Sequence, residues 1–431
     1  MTTWRPTAAL SRSLAWGTLG VAVAVVLGRP VVVVLCAPVL LLGALGLLHR
    51  PTSRPLVETE VDHVVLHEGQ GTRVRLVVDD TSGVEQVTRL AAPARHVALH
   101  PAAGRLGRLL GPDGALPVVE ASPRRWGRRL LGEESVALTS RWAGYRWGPV
   151  TLAGKQLQVL PVRAPFDARA EAPHPLGVVG AHRSQRPGAG TEFASIRPFH
   201  SGDRLRRIHW RVSLRTRELH VVSTRGEEDT AVLVVVDALA DHGRSGGVDG
   251  AASSLDVAVR AAAAIAEHHV RRGDRVGLRV VGAGGETVRP GGGARHLRVL
   301  QSRLATLQVG APRELRGDEI QLGATAGTVV VVLSPMLSEA MGTLAASLAR
   351  RGLPVLVVDT LPADAVPSVV EGTDPRVAAL AWRMRRLERR EVLGRLAAIG
   401  APVVVWRGPG TLDDVLHRLA RRAQLPRVRA R

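Results

Sequence analysis

The first fifty residues carry two long apolar runs. Leu14–Leu27 is almost wholly apolar, Val31–Leu48 is apolar throughout, and only Gly28, Arg29 and Pro30 separate the two. A helix needs about 20 apolar residues to cross a bilayer. The pattern therefore predicts a transmembrane helical hairpin over residues 1–50. A cleaved signal peptide fits less well, because the second run follows at once and no small-residue cleavage site precedes it.

The arginines around this hairpin predict its orientation. Arg5 and Arg12 lie at its entry and Arg50 and Arg54 at its exit, whereas only Arg29 lies in the turn. Basic residues favour the cytoplasmic side of a membrane. We therefore expect a multi-pass protein of the inner (plasma) membrane, with both ends and all soluble domains in the cytoplasm.

Residues 51–165 have the period of β-strands. In Thr72–Val78, valine and leucine alternate with arginine, and Val136 and Leu138 repeat the alternation. Alternation of this kind is typical of half-buried strands. Together with frequent proline and glycine, it predicts a small β-sandwich-like domain.

From residue 231 to 431 the pattern changes to alternating strands and helices, which predicts a mostly parallel, Rossmann-like α/β sheet covered by helices. The loops after Asp237, Val281, Leu333 and Asp359 should then lie at the ligand-binding edge. The predicted strands are Ala231–Val236, Arg275–Val281, Val329–Leu333, Val355–Val358 and Val403–Trp406. Five helices are predicted: one starting near Ser254, one over Ala294–Leu307, one from a Ser338 cap to Arg350, an arginine-rich helix ending at Ile399, and one after Thr411.

Residues 166–230 join these parts and contain the most distinctive motif. Its members are Gly190, Glu192, Phe193, Arg197, Gly202, Asp203, Arg206, Ile208, Trp210, Ser213 and Arg215. Their order and spacing resemble the hallmark of the bacterial family DUF58. The resemblance implies a transmembrane hairpin, a β-rich segment and a von Willebrand factor A-like domain, in that order. It also implies a partner, a MoxR-type AAA+ ATPase.

The motif supports two interpretations. Its acids, Glu192 and Asp203, can pair with the guanidinium groups of Arg197, Arg206 and Arg215, because arginine binds carboxylates bidentately. The favoured interpretation is an ion-pair latch that fixes the joining segment. The alternative is a groove for an acidic or phosphorylated group of a partner.

The basic composition changes this picture little. The formal net charge is +20, and all but one of the 58 basic residues are arginine, the exception being Lys155. The densest group is Arg383, Arg385, Arg386, Arg389 and Arg390. No aromatic residues are interleaved with it to stack on bases. We therefore interpret it as the solvated face of a helix and expect no nucleic-acid partner.

A metal site is the main chemical alternative. A functional A-domain site resembles Asp-x-Ser-x-Ser with a later Thr and Asp, oxygen ligands that suit magnesium. Here the loop reads Asp237-Ala238-Leu239-Ala240-Asp241, so both serines are absent. Asp241 stands at the second serine position as a replacement ligand, and Ser334-Pro335 stands where an acid is expected. Only a degenerate site is predicted, and no other motif indicates a cofactor or a small-molecule substrate.

These observations favour a non-enzymatic, membrane-anchored interaction or adaptor protein that works with a MoxR-type AAA+ ATPase. The alternatives are a metal-dependent ligand-binding module that uses Asp237 and Asp241, and an anionic-surface or nucleic-acid binder.

Overall fold

The chain divides into two compact units. The computed structural model describes residues 3–102, 104–110, 114–162, 183–200, 205, 208–227, 231–310, 320, 322–324, 328–366, 374–407 and 411. The first unit comprises residues 1–162 and 246–249, and the second comprises residues 163–245 and 250–431.

The first unit opens with strand β1 (Arg5–Pro6) and two apolar helices, α1 (Ala8–Val26) and α2 (Pro30–Leu48). Each helix has 19 residues and is long and apolar enough to cross a membrane. Pro30 begins α2, a position at which its missing N–H leaves no hydrogen bond unmade. The two helices predicted from the apolar runs are confirmed.

Small residues bring α1 and α2 together. A Cβ atom on Gly17 would lie 2.5 Å from Leu40 Cγ, and one on Gly43 would lie 2.8 Å from Leu14 Cδ2. Close approach at small residues is typical of helices that associate within lipid. The outward faces expose apolar side chains, including Val25, Val26, Val34 and Leu35.

Three sheets make up the rest of the described part of the first unit. Their orders are β1-β11-β10-β5-β7, β2-β4-β8-β6 and β3-β12-β9. The strands are β2 (Val57–Val61), β3 (Val65–His67), β4 (Thr72–Val78), β5 (Val84–Ala91), β6 (Val97–His100), β7 (Arg105–Leu109), β8 (Val119–Pro123), β9 (Gly127–Leu130), β10 (Glu134–Ser140), β11 (Tyr145–Leu152) and β12 (Gln156–Leu160). The predicted β-rich character of this region is confirmed, and β4 has the bounds that its alternation predicted.

The sheets bury apolar side chains against one another. Leu76 of β4 packs in one cluster with Val87 of β5, Leu138 of β10 and Trp147 of β11. A second cluster joins β3, β4, β8 and β12 through side chains that include Leu66 and Leu157. Val74 and Leu76 are two residues apart on the buried face of β4, so one strand contributes to both clusters at successive positions along its length.

A buried ion pair lies between these sheets. Arg89 of β5 is fully buried and donates to both carboxylate oxygens of Glu134 of β10 at 2.8 Å. It also donates to the Val74 and Pro117 carbonyl oxygens at 2.8 and 3.0 Å, while the Thr59 hydroxyl donates to Glu134 at 3.1 Å. Arginine thus satisfies the carboxylate and two backbone acceptors, which a buried charge requires.

The change Arg89→Met should lower the free energy of unfolding of the first unit by about 3–5 kcal/mol, because Glu134 stays buried without its cation. Replacing both partners (Arg89→Met with Glu134→Leu) should recover most of that loss. Hydrogen exchange of β5 and β10 amides in the full chain measures both. The control Arg73→Met removes only the exposed pair with Glu120 and should cost less than about 1 kcal/mol. Equal losses of unfolding free energy in Arg89→Met and in the control would contradict the stabilising role of the buried pair of Arg89 with Glu134.

The second unit begins with an antiparallel pair, β13 (Arg183–Pro198) and β14 (His220–Glu227), with the short helix α3 (Trp210–Thr216) between them. A six-stranded sheet follows, in the order β17-β16-β15-β18-β19-β20. Its strands are β15 (Ala231–Asp237), β16 (Arg275–Val281), β17 (Thr287–Gly291), β18 (Val329–Ser334), β19 (Val355–Asp359) and β20 (Val403–Val405). Neighbouring strands are parallel except β16 and β17, so the prediction of a mostly parallel sheet is confirmed.

In the described part of the second unit, four helices accompany this sheet: α4 (Ser254–Arg271), α5 (Gly293–Ala305), α6 (Glu339–Arg350) and α7 (Pro375–Ala398). The helix predicted from Ser254 is confirmed and begins with a capping box formed by Ser253 and Asp256. Gly273 follows it with a φ of +89°, a conformation in which glycine is favoured.

Three details differ from the expectations or lie beyond them. Ser338 precedes α6, but its side chain makes no capping hydrogen bond, so that part of the prediction is wrong. Strand β17 was not predicted because it contains Pro290 and Gly291, which sheets tolerate mainly at an edge such as this one. The helix predicted after Thr411 lies outside the described residues.

Candidate functional site

The carboxyl edge of the parallel sheet brings together residues that are far apart in the sequence. Asp237, Ser334 and Asp359 are the last residues of the adjacent strands β15, β18 and β19. The chain places β16 on one side of β15 and β18 on the other, so the strand order reverses between β15 and β18. In open α/β sheets, ligands bind at such a reversal.

Asp237 is buried and its carboxylate is held by the neighbouring strand ends. The Ser334 hydroxyl donates to Asp237 Oδ2 at 2.6 Å, and the Leu239 backbone N–H donates to Oδ1 at 3.1 Å. Ser334 Oγ in turn accepts from the Met336 N–H at 2.9 Å. Burial raises the pKa of the Asp237 carboxyl, and the donors from Ser334 and Leu239 oppose that rise. One hydroxyl therefore links the turns that follow β15 and β18.

A second pairing lies at the neighbouring strand ends, those of β18 and β19. Arg389 of α7 forms an ion pair with Asp359, and its Nε donates to the Pro335 carbonyl oxygen at 2.6 Å. The other carboxylate oxygen of Asp359 accepts from the Leu361 N–H at 3.0 Å. Both side chains are nearly buried, which strengthens a charge-assisted contact. Arg389 thus fixes α7 to the turns after β18 and β19.

Asp241, the second candidate metal ligand, has different partners. Its carboxylate accepts from the Ser253 hydroxyl at 3.0 Å and from the Leu255 N–H at 3.1 Å, at the amino end of α4. A carboxylate there is favoured by the helix dipole.

The residues at this edge do not fit a divalent cation well. Asp237 and Asp241 each have their own hydrogen-bond donors, and Ser334 takes the place where another acid would supply a ligand. In the part of the chain that the structure describes, no group of three or more His, Cys, Asp or Glu residues could hold a metal ion. Magnesium is usually held by one or two carboxylates with waters completing its octahedron, and both candidate carboxylates here already accept hydrogen bonds from the fold.

A cleft of about 290 Å³ opens beside Asp237 and is lined by His242, Ser338, Glu339 and Arg385. Burial lowers the pKa of His242, Arg385 lowers it further, and Asp241 opposes them. The imidazole is therefore neutral at neutral pH. The polar lining of the cleft also includes two carboxyl groups, those of Asp237 and Glu339, and the guanidinium of Arg385.

Most of the motif residues that the structure describes lie on β13 and α3, which precede the turns after β15, β18 and β19 in the sequence. Glu192 and Phe193 lie within β13, and Arg197, near its end, is half-buried and donates to the Pro198 carbonyl oxygen at 3.1 Å. Trp210 begins α3 and is 61% exposed. Gly202, Asp203 and Arg206 lie outside the described residues, so the latch and the groove both stay predictions.

Ser213 and Arg215 of the motif have different surroundings. Ser213 is buried, donates to the His209 carbonyl oxygen at 3.0 Å and accepts from the His220 N–H at 2.9 Å. It therefore ties α3 to the start of β14 and has a structural role. Arg215, in the last turn of α3, is exposed.

Sequence reasoning missed Arg389. The prediction that Arg383, Arg385, Arg386, Arg389 and Arg390 share a solvated face is wrong for Arg389, and the other four are exposed. The signal was its spacing: Trp382 and Leu396 lie seven residues before and after it, and both are on the inward face of α7. Residues seven apart share one helix face.

Comparisons with known proteins support the resemblance over part of the chain. The model of the family described as "Protein of unknown function DUF58" matches residues 195–383. Over 185 residues, the chain is 29% identical to an uncharacterised protein of Mycobacterium bovis and to uncharacterised proteins of two strains of Mycobacterium tuberculosis. Each match covers 42% of this chain and 51% of the relative. The match thus spans about half the length of these curated relatives.

The change Ser334→Ala should lower the free energy of unfolding of the second unit by about 1–3 kcal/mol, because it leaves a buried carboxylate oxygen without its donor. In an Asp237→Asn background the same change should cost clearly less, since that oxygen is then uncharged. Hydrogen exchange of β15 and β18 amides in the full chain reports both losses. Ser338→Ala is the matched control, because Ser338 lines the same cleft but makes no capping hydrogen bond. Equal losses for Ser334→Ala and Ser338→Ala would refute the linking role of Ser334.

Proposed function

We propose that this protein is a membrane-anchored adaptor that binds other proteins through its second unit and has no enzymatic activity of its own. Helices α1 and α2 would anchor it as a hairpin, with both units in the cytoplasm. The second unit would act as a von Willebrand factor A-like domain.

The anchor is supported by where the apolar side chains lie. The outward faces of α1 and α2 expose valine and leucine, including Val26 at 84%, and an apolar surface of this kind is stable in lipid rather than in water. Arg5 and Arg12 before the hairpin and Arg50 and Arg54 after it outnumber Arg29 in the turn. By the positive-inside rule, both ends then face the cytoplasm.

The observation that carries the adaptor proposal is the internal pairing at the carboxyl edge of the sheet. Asp237 is engaged by Ser334, and Asp359 by Arg389. These pairings use the groups that a metal or a substrate would need. Binding is then left to side chains on the outer surface, which favours recognition of proteins over chemistry at the edge.

The partner that we propose is a MoxR-type AAA+ ATPase. The support is the DUF58 resemblance of the motif and the family match over residues 195–383. A fold by itself does not imply a partner, so this part of the proposal depends on a direct test.

The test is affinity purification of the full chain from its native membranes, with nuclease treatment and mass spectrometry. We expect a AAA+ ATPase to be retained by the wild type. We expect the same retention by Asp237→Asn, because the proposal gives Asp237 no role in contacting the partner. Absence of any AAA+ ATPase from the wild-type sample would refute the proposed partner. Loss of the ATPase from a folded Asp237→Asn variant would instead favour a ligand site at the sheet edge.

A further inference from the structure

One face of α7 is fixed to the body of the second unit. Trp382 Nε1 donates to the Ala365 carbonyl oxygen at 3.1 Å, Arg389 Nε donates to that of Pro335 at 2.6 Å, and Leu396 is buried. These three residues are seven apart, so they lie along one side of the helix. Their contacts determine which side of α7 faces outward.

The opposite side of α7 carries an apolar stripe. Val377, Leu380, Met384 and Leu387 are 58%, 59%, 55% and 56% exposed. We call these four residues the α7 seam. Their spacing of three, four and three residues places them in one line, about 15 Å long at 1.5 Å per residue. An amphipathic helix normally buries its apolar stripe, whereas α7 buries a different face and presents this one.

The width of the α7 seam indicates what kind of surface covers it. Its spacing is that of the a and d positions of a heptad, the narrow stripe by which one helix packs against another. A helix that lies in a membrane interface presents a broader apolar face, usually with aromatic residues. The α7 seam contains no aromatic residue, and Glu391 takes its next a position.

Charge beside the α7 seam selects among helical partners. Arg376, Arg383 and Arg390 are exposed and lie seven residues apart. They occupy the g positions of the same heptad, where residues pair with charges on the facing helix. The matching positions of a partner should therefore carry Asp or Glu. A second copy of α7 packed antiparallel would place these arginines against one another, which is unfavourable.

We infer that the α7 seam is a docking site for an amphipathic helix of a partner protein, with a heptad apolar stripe and carboxylates facing Arg376, Arg383 and Arg390. The inference rests on the proposed adaptor role and assigns that role a surface. Arg389 supports the surface from the inner side of the helix, because it holds α7 to Asp359 and Pro335.

Site-specific photo-crosslinking tests this in the full chain in native membranes. A benzoylphenylalanine replaces Met384 in the α7 seam, or Ala379, which is exposed on the same helix outside the α7 seam. The expected result is an adduct at position 384 and little at position 379. The crosslinked peptide, sequenced by mass spectrometry, should come from another protein and contain heptad-spaced apolar residues flanked by Asp or Glu. Hydrogen exchange of β18 and β19 checks that both variants are folded.

A second variant measures how much the α7 seam contributes to binding of the partner. Met384→Glu, made in the chain without the crosslinker, places a charge in the α7 seam. It should weaken recovery, by affinity purification, of the partner that crosslinking identifies by about tenfold or more. Ala379→Glu is the matched control and should leave recovery unchanged.

Four results would overturn the inference: an adduct to lipid, an adduct to a second copy, an adduct to residues 408–431 of the same chain, or no adduct at position 384. If affinity purification retains a AAA+ ATPase but crosslinking gives any of these results, the adaptor proposal is supported and the α7 seam is refuted as the docking site. If the crosslinked peptide is an acidic helix from a protein that is not an ATPase, the α7 seam is supported as a docking site and the proposed ATPase partner is refuted.

Discussion

The hydrogen bond from Ser334 to Asp237 is the contact on which the architecture of the second unit most depends. It joins the ends of β15 and β18 at 2.6 Å, at the point where the strand order reverses. The apolar strands on either side leave Asp237 buried, so its carboxylate needs a donor within the fold. The same bond that stabilises the sheet end also occupies the group that would otherwise be the best candidate ligand.

Arg389 connects helix α7 to this edge of the sheet. By pairing with Asp359 and with the Pro335 carbonyl oxygen, it determines which side of α7 faces inward. The inward side holds Trp382 and Leu396, and the outward side then carries the exposed apolar stripe and the row of arginines. The proposed adaptor role rests on these two features, the internally paired sheet edge and the apolar stripe that α7 exposes.

The sequence predicted local periodicity well and tertiary pairing poorly. The apolar runs of α1 and α2, the alternation in Thr72–Val78 and the β-branched run Ala231–Val236 each determine one element, because burial on one or both faces imposes a period. Strand β17 was missed, since Pro290 and Gly291 oppose strand formation except at an edge. Arg389 was misjudged, and the donor role of Ser334 was missed, for another reason. Their roles depend on Asp359 and Asp237, which are distant in the chain and become neighbours only when the parallel sheet forms. The buried pair of Arg89 with Glu134 could not be read from composition for the same reason.

The carboxylates at the carboxyl edge of the sheet are engaged by donors of the protein's own fold. Isothermal titration of the detergent-solubilised full chain with magnesium chloride tests this most directly, with Asp237→Asn as the reference. Because the Asp237 and Asp241 carboxylates are engaged by Ser334 and by the amino end of α4, we predict no saturable heat in either protein. A one-to-one binding isotherm for the wild type that disappears in Asp237→Asn would contradict the account and establish a metal site at this edge.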